Sequence, residues 1–259
     1  MDVLIIPIVV LFGSILTFFS GFGLGTLLLP AFSLFFPVEV AIFSTAIVHF
    51  FNSMFKVILI YKKINYILFF QFALTAVPFA ILGAWLLSNI NEHNISIQLN
   101  FGIYKNRVSS INLLIGTIMI LFAIVELVFK ETKIMVSKKS LLLGGAISGL
   151  FGGISGHQGA FRSMFLSKAA ITKEEFVATS SSIGFVIDLT RIVMYLSSIS
   201  LFVHFEATLK WILLLSIFVA FCGSYLGAKF LTKTTFRFLQ ILVAVSLMIM
   251  GILLSIGIL

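Results

Sequence analysis

Gly152-Gly153-Ile154-Ser155-Gly156-His157-Gln158-Gly159 interrupts an apolar run that starts near Leu141, and Ser20-Gly21-Phe22-Gly23-Leu24-Gly25 interrupts the first apolar run of the chain. Each break leads into a short second apolar stretch, then a turn, then a long segment with polar residues near its middle. Broken helices at corresponding places in two halves of a membrane protein point to a transport site at the bilayer midplane. The backbone of such a break must find partners in protein or water, because hydrocarbon offers none.

The surrounding composition fits. The 259 residues are 60% hydrophobic and 10% charged, with a mean hydropathy of +1.20. Apolar segments run roughly 3–19, 26–36, 39–60, 66–88, 110–129, 141–152, 160–170, 175–198, 208–230 and 236–258. Runs of this length make a polytopic helical membrane protein, multi-pass in a lipid bilayer. A β-barrel would need short alternating segments instead. The net charge of +8 is no nucleic-acid signature, because the lysines sit mostly in clusters between apolar segments, where they set topology. Cys222 alone supports neither a disulfide framework nor a cysteine metal site. His93 and His204 fall in or near loops, so no metal and no cofactor is expected. Residues 3–19 resemble a signal-peptide core, but they lack a preceding Lys or Arg and a polar cleavage region, and are read as structure.

Charge chooses between two topologies. If each broken segment crosses once, the basic residues outside the spans divide seven to seven. If each is a re-entrant hairpin, they divide eleven to three, with Lys105, Arg107 and Lys210 alone outside. The positive-inside rule selects the hairpins. The expected fold is therefore all-α, with two inverted repeats, each a glycine-broken re-entrant hairpin plus three transmembrane helices. Residues 1–129 form the first repeat, 130–139 a basic cytoplasmic linker and 140–259 the second repeat, with both termini extracytoplasmic. The stretches 141–152 and 160–170 are each about 16–18 Å as helix, half a hydrocarbon core. Residues 3–19 are longer and nearly reach across. The polar 89–109 stretch is the one substantial extramembrane loop.

The glycine-rich break followed by Leu27-Leu28-Leu29-Pro30 and Val40-Ala41-Ile42-Phe43-Ser44-Thr45 resembles the sulfite exporter TauE/SafE family of small anion permeases. The second half repeats it as Gly153 to Gly159, Ala160-Phe161 and Val177-Ala178-Thr179-Ser180. Where the family's second break is a run of glycines, this chain has His157-Gln158, followed by Arg162. The resemblance covers nearly the whole chain. It implies a secondary carrier of a small sulfur-containing anion, sulfite or an organosulfonate, in the bacterial inner (plasma) membrane. Protons are candidate coupling partners, and a homo-oligomer is left open.

The site residues follow from the breaks. Half-helices starting near Thr26 and Ala160 would point their N-termini at the midplane and offer an anion free amides and a positive dipole end. Gly21, Gly23, Gly25, Thr26, Gly156 and Gly159 are the backbone candidates; the bland alternative is that such glycines serve tight helix packing. Arg162 offers a guanidinium fork for a sulfonate, or else an internal ion pair with Asp188. His157 and Gln158 offer uncharged donors, or satisfy the break's own backbone. His49 and Asn52 share one helix face. Asp188 and Arg191, three apart, suggest a local bridge. His49, His157 and Asp188 are the titratable candidates for a coupling proton. Two rival functions are a passive anion channel of the same fold and an intramembrane serine protease. The second rests on Gly153-Ile154-Ser155-Gly156, which matches the G-x-S-G loop of rhomboid proteases; Ser155 would need a histidine base within reach, and His204 lies at the membrane edge.

Overall fold

The computed structural model describes residues 2–18, 23–93, 96–101, 104–128, 137–166, 169, 171–197, 207–230 and 236–259. Gly21, the linker stretch 130–136 and His204 lie outside them. The elements in order are α1 (Ile5–Leu16), α2 (Leu24–Ser33), α3 (Val38–Ile60), α4 (Tyr66–His93), β1 (Ser96–Phe101), β2 (Tyr104–Ser109), α5 (Ser110–Val128), α6 (Lys138–Ser155), α7 (Gly159–Leu166), α8 (Lys173–Ser197), α9 (Ala207–Phe230) and α10 (Phe236–Ser255). Five helices, α3, α4, α5, α8 and α9, are long and apolar enough to cross a membrane. The 20 residues of α10 are about 30 Å as helix, the thickness of a hydrocarbon core. The chain is a polytopic helical membrane protein.

Local chemistry sets the helix starts. Ser137 and Ser140 form a capping box ahead of α6, and Thr172 and Glu175 exchange bonds of 2.8 and 3.2 Å ahead of α8, satisfying amides with no intrahelical partner. Pro37 precedes α3, and Glu39 in its first turn complements the dipole.

Two sequence expectations are corrected. The longer arm belongs to the second hairpin: α6 has 18 residues and α1 only 12. The Ser137 cap lets exposed Lys138 and Lys139 continue α6 outward, whereas α1 ends at Thr17, whose hydroxyl returns to Gly13 O at 2.6 Å. Residues 96–109 form a two-stranded antiparallel hairpin, pairing Ser96 with Ser109 and Phe101 with Tyr104. Ile97, Leu99 and Phe101 alternate with polar residues there, a strand period inside a polar stretch.

Helix directions decide the topology. Ser148 Oγ on α6 donates to Gln158 O at 2.8 Å, and Gly144 lies against Phe165, so α7 doubles back along α6. Asn112 bonds Leu259 O at 2.9 Å while Gly116 meets Gly251 and Ser255, so α5 and α10 run antiparallel. His49 faces Asp188 and Asn65 faces Thr179, so α3 and α8 are antiparallel too. Single crossings of both breaks would make these two pairs parallel. For the first hairpin, Leu11 and Ile15 of α1 face Gly223 and Gly227 of α9 in ascending order. That gives α1 the direction of α9. Successive reversals give α9 the direction of α3, so α2 must return between α1 and α3.

Small residues bring the helices together. A Cβ at Gly145, Gly149 or Gly153 of α6 would overlap the carbonyl of Phe72, Ala76 or Ala80 of α4. This is the small-xxx-small packing of membrane helices. Phe70, Leu74 and Trp211 remain outward, the last 72% exposed, as a lipid-facing surface requires.

Candidate functional site

Two glycines with positive φ shape the breaks. Gly23 (φ 103°) opens α2 and Gly156 (φ 82°) closes α6, a conformation open to glycine at little cost. Gly25, inside the first turn of α2, faces the other break: a Cβ there would stand 3.4 Å from Gly156 O and 3.4 Å from the His49 ring. The two breaks meet, with α3 beside them.

Asp188 on α8 is the hub of the polar cluster and is fully buried. Its Oδ2 lies 2.5 Å from His49 Nδ1, and its Oδ1 accepts from Gln158 Nε2 at 2.8 Å and Arg191 Nε at 2.9 Å. Gln158 Oε1 accepts from Arg162 Nη1 at 2.9 Å, and Arg162 Nε donates to Ser180 Oγ at 2.8 Å. Arg162 therefore does not bond Asp188 directly, because the Gln158 amide stands between them. Arg191 does pair with Asp188. Its Nη1 makes no hydrogen bond among the described residues; Gly156 and Tyr195 are its neighbours. Two guanidiniums thus share one carboxylate. Buried charge costs several kcal/mol unless paired, and Asp188 pairs directly with Arg191 and reaches Arg162 through Gln158.

His157 turns another way. Ser155 Oγ lies 3.3 Å from Phe151 O and 2.8 Å from His157 Nδ1, and the His157 tautomer decides which of the two atoms in the shorter contact donates. The His157 ring sits 4.9 Å from that of Phe122, which also touches Phe151 and Phe161. Its Nε2 has no hydrogen-bond partner among the described residues.

The remaining sequence candidates are placed as follows. Thr26 Oγ1 donates to Gly23 O at 2.7 Å and closes the first turn of α2. Asn52 Oδ1 accepts from Ser224 Oγ at 2.5 Å and ties α3 to α9. Gly159 opens α7, where Arg162 N reaches Gln158 O at 3.1 Å.

The chain matches the family described as Sulfite exporter TauE/SafE over residues 5–254. It belongs to that family. Membership makes this TauE/SafE protein a membrane transporter of the sulfite-exporter class. No curated protein and no solved structure matched.

Sequence reasoning about this TauE/SafE chain missed several members of the cluster. From the sequence Arg191 reads as a local bridge alone, and Ser180 and Tyr195 carry no role. A periodic signal existed for most of them. Ser180, Gly184, Asp188 and Arg191 fall on one face of α8, and His49, Ser53 and Lys56 on one face of α3. Tyr195, whose hydroxyl donates to Gly153 O at 2.5 Å, carries no such mark.

Proposed function

We propose that this protein is a secondary carrier of a small sulfur-containing anion, of the sulfite or organosulfonate class, in the inner membrane. The anion sits where the two breaks meet, between the half-helix starts near Gly25 and Gly159, with Arg162, Gln158 and His157 as side-chain donors. His49 and Asn52 line the path. A proton carried by His49, His157 or Asp188 couples the cycle. The two halves are inverted repeats, a reading favoured by the helix directions, and they rock against each other to alternate access. Both termini then lie outside the cytoplasm.

One observation carries this reading: among the described residues Arg162 and Arg191 gather around the buried Asp188 carboxylate, beside two glycine breaks from different halves. Such a cluster is completed by an anion, and the geometry that would admit one is backbone without side chains. A passive channel would need the same site, so coupling is tested separately by proton-gradient dependence of uptake into vesicles.

The direct test is thermal stability of the purified protein against sulfite, thiosulfate, sulfoacetate, taurine, sulfate, acetate and chloride. A ligand at 100 times its Kd adds about 2.7 kcal/mol to the folded state. A sulfur anion should stabilise selectively, and Arg162→Ala should abolish that effect while remaining folded. Equal stabilisation of the variant would put the site elsewhere.

A further inference from the structure

His49 stands between the two breaks. A Cβ at Gly25 of α2 would come within 3.4 Å of its ring carbon Cδ2. On the other side its Nδ1 lies 2.5 Å from Asp188 Oδ2, while Asp188 Oδ1 takes Gln158 Nε2 at 2.8 Å. One imidazole thus joins the first break, through its ring edge, to the Gln158 side chain of the second, through a single carboxylate.

The three titratable groups beside the breaks differ in what they offer a proton. Asp188 is 0% exposed and pairs with Arg191, itself 0% exposed. A proton on Asp188 would strip that guanidinium of its counter-charge, which is costly out of water. His157 is also 0% exposed and packs on Phe122. The charged group whose field reaches it is Arg191, a cation, so a second positive charge there meets repulsion. His49 is different on both counts. It keeps 7% of its surface open, and a positive charge on its ring is answered by Asp188 at hydrogen-bond distance.

The charged groups whose fields reach the His49 ring are Asp188 and Arg191 of α8 and Arg162 of α7. From α2 it meets Gly25. Helix α9 meets α3 through Ser224 on Asn52 and Phe221 on Phe55, and Lys56 follows on α3 itself two turns later.

We propose that His49 carries the coupling proton, bound and released at Nε2 while Nδ1–H stays on Asp188. The proposal rests on the carrier reading above and narrows its three proton candidates to one atom. An ionised carboxylate only accepts, so the hydrogen between the two groups belongs to Nδ1 and the second nitrogen is the one that titrates. With Nε2 bare, the ring holds Asp188 through a neutral donor. With Nε2 protonated, the same contact becomes a charge-assisted pair between α3 and α8. The proton tightens the link that joins the two breaks, and its release loosens it. One N–H bond forms and breaks, and nothing else is consumed.

Two measurements on the full-length protein test this. The first is NMR of the imidazole nitrogens in nanodiscs, with isotope-labelled histidine, across about pH 5–8. The His49 signals are those absent from His49→Asn. Nδ1 should stay protonated throughout, and Nε2 should lose its proton as pH rises. An Nε2 that keeps one state over this range, or a bare Nδ1, overturns the proposal.

The second is uptake of radiolabelled thiosulfate or methanesulfonate, anions whose charge does not change in this range, into proteoliposomes with and without a pH difference. For one proton per cycle, a difference of about one unit should change accumulation about tenfold in wild type. His49→Asn keeps an N–H for Asp188 but lacks Nε2, and should bring that ratio to about one. A variant that still follows the gradient puts the proton elsewhere and overturns the assignment. If the variant does not fold, the NMR titration of wild type decides alone. Exchange by wild type that ignores the gradient overturns the proton assignment and leaves the carrier reading standing. Absence of any exchange of sulfite, thiosulfate and methanesulfonate removes the carrier reading, and the proposal with it.

Discussion

Replacing Asp188 by asparagine preserves shape and removes one charge, and the cluster predicts a large cost. The carboxylate answers three donors at 2.5, 2.8 and 2.9 Å, and both it and Arg191 are 0% exposed. Asparagine has one acceptor oxygen, so its amide would confront His49 or Gln158. Arg191 would lose its counter-ion altogether. Breaking a buried pair costs about 3–5 kcal/mol, a large part of the roughly 5–15 kcal/mol that separates folded from unfolded chains. At about 2–4 °C per kcal/mol for a chain of this size, Tm should fall by about 6–20 °C. The assay is a melting curve of the purified protein in one fixed detergent. A double variant, Asp188→Asn with Arg191→Met, should recover much of the loss, because an apolar replacement of a whole pair is often neutral. A single variant melting within about 2 °C of wild type would refute the view that Asp188 neutralises Arg191. A double variant no better than the single one would refute the pairing as the source of the cost.

Two further outcomes follow from the glycine contacts. Gly149→Ala would drive a methyl into Ala76 O and force α4 from α6, at a cost of about 1–3 kcal/mol as overpacking; a melting curve matching wild type would remove that contact. Gly25→Ala and Gly156→Ala should differ, although both lie where the breaks meet. The first meets its neighbours at 3.4 Å and should leave Tm within a few degrees, whereas the second combines φ 82° with Arg191 Nη1 at 2.5 Å and should be the less stable by about 1–2 kcal/mol or more. Equal melting temperatures would refute the strained backbone and the close Arg191 approach at Gly156.

Local pattern carried the sequence reading where the physics is local. Apolar length gave the spans, and Gly-rich runs gave the breaks. The reading failed where a neighbour decided. The length of α6 was set by a serine cap outside the apolar run, and the pairing of 96–109 by alternation within a polar stretch. Arg162 and Asp188 were recognisable as expensive buried charges. That Gln158 would stand between them depended on a hairpin turning back along itself.

Sequence by itself determined that this chain is a polytopic helical membrane protein and that glycine interrupts its apolar runs at two places. Those properties follow from hydrophobic length and from the conformational freedom of single residues, and need no partner to be read. Only the tertiary structure decided that Gly25 meets Gly156 and that His49 on α3 touches Asp188 on α8. Charge balance in a low-dielectric interior is a sum over neighbours distant in sequence, and no single segment contains it.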